Sequence, residues 1–139
     1  AMTVLRPLLA ALLVALPLAV RAEAPVFTDY DTLRARLDAL VMARRLSEAL
    51  VLFGARDAYT DAELAEIDTR VRGRFPADFE NAAMVRSAEM LNGFRQEMIA
   101  YWTGKNYLYV YLFLHQRPGE IVAMQFRFST DVDEVFARF

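Results

Sequence analysis

The sequence contains no cysteine, a single lysine (Lys105) and a single histidine (His115). Without cysteine there is no disulfide framework and no thiol nucleophile, so a hydrophobic core must hold the fold unaided. With 16 basic against 18 acidic side chains, and no cluster of the former, the chain has no cationic face to meet phosphates. Nucleic acid is therefore not expected as a partner. One histidine allows few catalytic arrangements. A serine triad would need it near Ser47, Ser87 or Ser129, and Ser129 lies roughly 27 Å along the same hairpin at about 3.4 Å per residue. Glycine is also infrequent, at five residues, with no phosphate-cradling loop and no zinc spacing. Asp131, Asp133 and Glu134 lack the glycine and the bidentate glutamate of a calcium loop. No metal, cofactor or catalytic constellation is expected, and the chain reads as non-enzymatic.

What the chain has in excess is apolar residues, 56% of the whole, and many of them stand at the beginning. Arg6 precedes an uncharged run from Leu8 to Val20, and Val20-Arg21-Ala22 has the small-residue spacing of a cleavage point. This is the pattern of a secretory signal peptide over residues 1–22. The run is shorter than the roughly 20 residues of a membrane span and contains Pro17, so no stable membrane insertion is expected after cleavage. Removal leaves 14 basic and 18 acidic side chains, a formal charge of −4. The rest, residues 23–139, is one domain's worth of chain, expected in the periplasm or outside the cell.

The first half of that domain reads as helix. After Thr28 and Asp29, both good caps, Tyr30, Leu33, Leu37, Leu40 and Val41 recur at helical spacing. A second series, Met42, Leu46, Leu50 and Phe53, is out of phase with the first, which predicts two helices or one bent near residues 43–45, ending at Gly54. Thr60 and Glu63 form a capping box for a helix over about 61–72 that buries Leu64, Ile67 and Val71.

From Pro76 the pattern admits one long helix over 77–102 or two strands. Asn92-Gly93, a strong hairpin signal, and the alternation of Phe94, Met98, Ala100 and Trp102 favour strands over 84–91 and 94–102. A two-residue Asn92-Gly93 turn would set Glu89 opposite Gln96. Two further strands flank Arg117-Pro118-Gly119. Read as a three-residue loop, that turn pairs Leu108 with Phe128, Val110 with Phe126, Leu112 with Met124 and Leu114 with Val122, giving one wholly apolar face. A three-residue loop at Gly104–Asn106 would add Met98 and Trp102 to that face. A short terminal helix capped by Thr130 or Asp131 is expected to bury Val135, Phe136 and Phe139.

The opposite face then carries Tyr101, Tyr107, Tyr109, Tyr111, Phe113 and Arg127. Three readings suit it: rings that are simply good strand formers with wet hydroxyls, a contact surface for a second copy or an envelope protein, or a platform for a small ligand. The apolar face offers a second candidate, a pocket for a small apolar ligand lined by Glu89, Gln96, Met98 and Trp102, with Glu89 as polar anchor or, in an isomerase-like enzyme, as base.

Helices packed on one face of a curved antiparallel sheet of about four strands make an α+β domain, which resembles the cystatin-like, cone type. In element order, long final hairpins and aromatic outer face it resembles the nuclear-transport-factor-like and ketosteroid-isomerase-like (SnoaL-like) superfamily over about Thr28 to Ser129. That resemblance implies a pocket between helices and sheet and a convex face used for dimerisation.

Overall fold

The computed structural model describes residues 24–139, and the leader expected over 1–22 lies outside them. Helix α1 (Tyr30–Met42) starts where the Asp29 carboxylate accepts a hydrogen bond from Thr32 N at 2.7 Å, which occupies one of the free amides of the first turn. Its Leu33, Leu37 and Val41 are fully buried, one per turn on one stripe. The expected break falls at residues 43–45, where Arg44 takes a φ of +59°. There Arg44 Nε donates to Asp78 Oδ1 at 2.8 Å and Nη1 donates to the Phe75 carbonyl at 3.0 Å, fixing the bend. Helix α2 (Leu46–Leu52) follows, then a 3-10 turn at Arg56–Ala58. Helix α3 (Asp61–Arg74) opens with the Thr60 and Glu63 capping box and ends just before Pro76.

The second half is sheet, so the long-helix alternative for 77–102 falls away. Strands β2 (Asn81–Glu89), β3 (Phe94–Thr103), β4 (Asn106–Arg117) and β5 (Glu120–Ser129) form an antiparallel meander. A two-residue strand β1 (Val26–Phe27) adds to the free edge of β5, giving the order β1-β5-β4-β3-β2. The sheet is curved and unclosed, and α1, α2 and α3 lie on one side of it. Phe27, Phe53 and Phe126 join that helical layer to β1 and β5 in one core, with ring centroids 5.5 and 5.0 Å apart.

Three registers differ from those read off the sequence. Between β3 and β4 the turn has two residues, Gly104–Lys105, so Trp102 pairs with Tyr107 and Tyr101 with Leu108. Gly104, at φ +58°, supplies the left-handed conformation a tight hairpin of this hand requires at its first position. Losing one loop residue turns every β3 side chain over. Ile99 and Tyr101 consequently join the core, while Met98 and Trp102 move to the outer face.

Between β4 and β5 the loop is Pro118–Gly119, and Arg117 pairs with Glu120. A bulge at Met124 then restores the inward row, setting Leu112 opposite Phe126 and Val110 opposite Phe128. Met124, expected opposite Leu112 in the core, is the extra residue and is 37% exposed. In the β2–β3 hairpin Asn92 and Gly93 both adopt positive φ, as the dipeptide predicts, but Met90 N donates to the Phe94 carbonyl and Glu89 faces Arg95 instead of Gln96. Gly93 has a second reason to lack a side chain: a Cβ there would meet the Gln116 carbonyl oxygen at 2.4 Å.

Candidate functional site

The outer face of the sheet is where the aromatic row lies, and the chain covers its middle itself. Helix α4 (Val132–Phe136), capped by Asp131 accepting from Asp133 N at 2.9 Å, sets Val135 on Met98 and Tyr111. Phe139 meets Tyr111 edge-on at 5.6 Å, and the Arg86 guanidinium lies 4.7 Å over the Phe139 ring. Gln96 Nε2 ties the lid down, donating to Tyr111 Oη at 2.9 Å and to the Arg138 carbonyl at 2.7 Å. Tyr111 is thus buried, whereas Phe136, expected inside, points to solvent. On one side of α4, Phe94 stacks on His115 and Phe113 at 3.9 and 5.7 Å, and His115 Nε2 is 3.0 Å from the Asn92 carbonyl. On the other side Trp102, Tyr107 and Tyr109 form a stacked strip, with centroids 5.7 and 6.2 Å apart, and Tyr107 is 41% exposed. Arg127, opposite Tyr111, is exposed next to this strip.

Tyr101 does not belong to that face. Its hydroxyl points under α1 and donates to Asp38 Oδ1 at 2.6 Å. Asp38 also accepts from Arg34 Nε at 2.9 Å, and Arg34 Nη1 reaches Tyr30 Oη at 3.4 Å. Tyr30 in turn donates to Glu97 Oε1 at 2.8 Å, and Glu97 Oε2 lies 3.1 Å from Arg95 Nε. The Arg95 guanidinium rests 4.6 Å over the Tyr30 ring. Six side chains therefore make a continuous charge-balanced chain between α1 and β3, and Glu97 within it is 2% exposed. A carboxylate that deep is tolerable only because it is paired and hydrogen-bonded. In the sequence Tyr30 stands out only as part of a helical stripe and Tyr101 only as part of the outer face, and the six are not brought together. Two signals for them exist: Tyr30, Arg34 and Asp38 recur every four residues, and Arg95, Glu97 and Tyr101 alternate on one strand face.

Burial pushes the Tyr101 hydroxyl well above the ordinary phenol range, and its bond to Asp38 adds to the shift; Tyr30 is raised as well, again chiefly by burial. The folded state then holds these protons more tightly than the unfolded chain. Stability is full below about pH 10, the unfolded value, and declines as pH rises above it, by about 1.4 kcal/mol per pH unit for Tyr101. A Tyr101→Phe variant should show a shallower decline in thermal midpoint between pH 9 and 11.5, and lose one late step in tyrosinate absorbance. Equal slopes for variant and parent would mean that Tyr101 ionises freely in the native state.

The expected pocket of Glu89, Gln96, Met98 and Trp102 is not assembled. Gln96, Met98 and Trp102 face the outer side by the flip of β3, and Glu89 lies on the inner side opposite Arg95. The inner side does hold a cavity of about 330 Å³, at the hairpin-turn end of the sheet, lined by Glu89, Met90, Arg95, Leu114, Gln116 and Ile121 among others. Among the described residues no three His, Asp or Glu side chains gather as metal ligands, and no helix is long and apolar enough to cross a membrane. No family model, curated protein or solved structure matches the chain, so the α+β fold and these surfaces carry the functional reading.

Proposed function

We propose that the protein is a non-catalytic binding domain that works through its outer sheet face, by pairing with a second copy of itself. One observation carries this: beside the lid that covers the rest of the row, the Trp102, Tyr107 and Tyr109 strip is only partly buried, and Tyr107 at its centre is exposed. Contiguous aromatic surface with a guanidinium at its margin is what interface centres concentrate. It is also self-complementary, because a twofold axis through the strip would bring the rings of one copy against Arg127 of the next. The leader pattern of residues 1–22 supports a role in the periplasm or outside the cell, where an envelope protein is the other partner to consider.

Tyr111 is unsuitable as a probe, since a charge there would dislodge α4; Tyr107 is free. The chain from Glu23 should run as a dimer in light scattering at tens of micromolar, and Tyr107→Glu should run as a monomer with unchanged circular dichroism and the thermal midpoint the parent shows when diluted to monomer. A parent that is monomeric throughout, or a Tyr107→Glu protein that still dimerises, would refute the pairing.

A further inference from the structure

The cavity at the turn end of the inner sheet face contains an unusual group. Arg95 is held from both sides, by the Tyr30 ring at 4.6 Å and by Glu97 Oε2 at 3.1 Å from its Nε. That Nε is fully buried against Glu97 without a well-aligned hydrogen bond, while the side chain as a whole is 26% exposed, which leaves its terminal nitrogens in reach of the cavity. A planar guanidinium held between an aromatic ring and a carboxylate is a prepared recognition element, since much of its side-chain entropy is already lost and its outer fork still has donors to offer.

The cavity walls beside it are apolar: Met90, Leu114 and Ile121, with Gln116 at the margin. The close approach of Gly93 to the Gln116 carbonyl, where a Cβ would sit at 2.4 Å, brings the β2–β3 and β4–β5 turns together at the rim of the space. Its volume of about 330 Å³ is at the lower limit of ligand pockets, enough for a molecule with one ring.

Charge decides the ligand class. Glu97 already neutralises Arg95, and Glu89 stands on the same cavity as a second carboxylate. An anion would enter against a net negative surround, whereas an uncharged oxygen acceptor would take the free donors without repulsion. We infer that this cavity binds a small neutral molecule with an apolar body and a carbonyl or amide oxygen, which accepts from the terminal nitrogens of Arg95. The site lies across the sheet from the pairing strip and is independent of it.

Three probes with one ring in common separate the alternatives: acetanilide (amide), acetophenone (ketone) and benzoate (carboxylate). In proton–carbon spectra of the intact chain from Glu23, the methyl groups of Leu114 and Ile121 should shift saturably with the first two. Benzoate should bind about tenfold more weakly, the scale of one like-charge repulsion near a protein surface. Glu89→Gln, an exposed change that leaves the core intact, should bring benzoate close to parity and leave acetanilide unaltered. Arg95→Lys keeps a cation beside Glu97 but removes the fork, and should abolish saturation by acetanilide and acetophenone. The inference is overturned if neither neutral probe saturates, if benzoate binds the parent as tightly as they do, if Glu89→Gln leaves the ratio unmoved, or if folded Arg95→Lys binds like the parent. Tyr107→Glu should bind all three probes like the parent, which keeps the outcome separate from that of the pairing experiment.

Discussion

Replacing Glu97 with Ala is expected to destabilise the domain by about 3–5 kcal/mol, the effect of breaking a buried ion pair by removing one member. The change leaves Arg95 with its buried Nε facing no carboxylate, and it removes the acceptor of the Tyr30 hydroxyl at 2.8 Å. Glu97→Gln retains a carbonyl oxygen for Tyr30 and should lose less, about 1–3 kcal/mol, through the weakened contact with Arg95. Urea unfolding followed by circular dichroism would measure both, provided the slope of the transition is unchanged. A loss of under about 1 kcal/mol for Glu97→Ala would class the pair with solvent-exposed bridges and contradict its burial. The converse variant is informative too. Changing Tyr30 to Phe, Arg95 to Met and Glu97 to Leu together removes the buried ion pair with its hydroxyl donor, leaving only the long 3.4 Å contact of Arg34 Nη1 unreplaced, and should bring stability to within about 1 kcal/mol of the parent or above it. The Arg34 and Asp38 bridge at 2.9 Å, with Tyr101 on Asp38, would survive that replacement.

Phe126→Ala is expected to cost a similar amount, about 3–5 kcal/mol, for a different reason. Phe126 stacks on Phe53 at 5.0 Å and lies opposite Leu112, so its ring fills the space where the end of α2 meets β4 and β5. Truncation opens a cavity that rigid strands on two sides cannot close. Phe126→Leu, which keeps much of the volume, should lose under about 1.5 kcal/mol. Met124, two residues away in the bulge and partly exposed, is the internal control: Met124→Ala should change stability by no more than about 0.5 kcal/mol. If Met124→Ala proved as damaging as Phe126→Ala, Met124 would have to occupy the core place opposite Leu112 and the bulge would be wrong. The same denaturation measurement decides both, and neither residue touches the aromatic strip or Arg95.

The two variants probe the places where the sequence was hardest to read. A three-residue loop sets Tyr101 on the outer face and Glu97, four residues back on the same strand, with it, yet both are among the most buried side chains of the domain. The error had one source, a loop counted as three residues at Gly104–Asn106 where the turn has two. On β5 the same count at Arg117–Gly119 was also one too long, but the bulge at Met124 compensated, so Leu108, Val110, Leu112 and Leu114 face inward as expected. A periodicity of two shows that a strand has two faces; it does not say which face meets the helices. The pocket of Glu89, Gln96, Met98 and Trp102 was lost with the β3 register, and Arg95 came into view with it.

Helix ends, by contrast, were legible, because a cap joins residues only three apart. Asp29 with Thr32, Thr60 with Glu63 and the break at residues 43–45 depend on local chemistry alone. The turn dipeptides Asn92-Gly93 and Pro118-Gly119 marked the hairpins for the same reason, and alternating apolar residues made the second half a meander packed under the helices. By itself, then, the sequence determined the α+β class, the order of the helices and the four meander strands, and most of their boundaries, but not the short edge strand β1. Only the tertiary structure decided the strand registers, the seating of α4 on the aromatic row, and the meeting of Tyr30, Arg34 and Asp38 with Arg95, Glu97 and Tyr101. Those depend on pairing partners tens of residues apart, where one loop residue more or fewer exchanges core for surface.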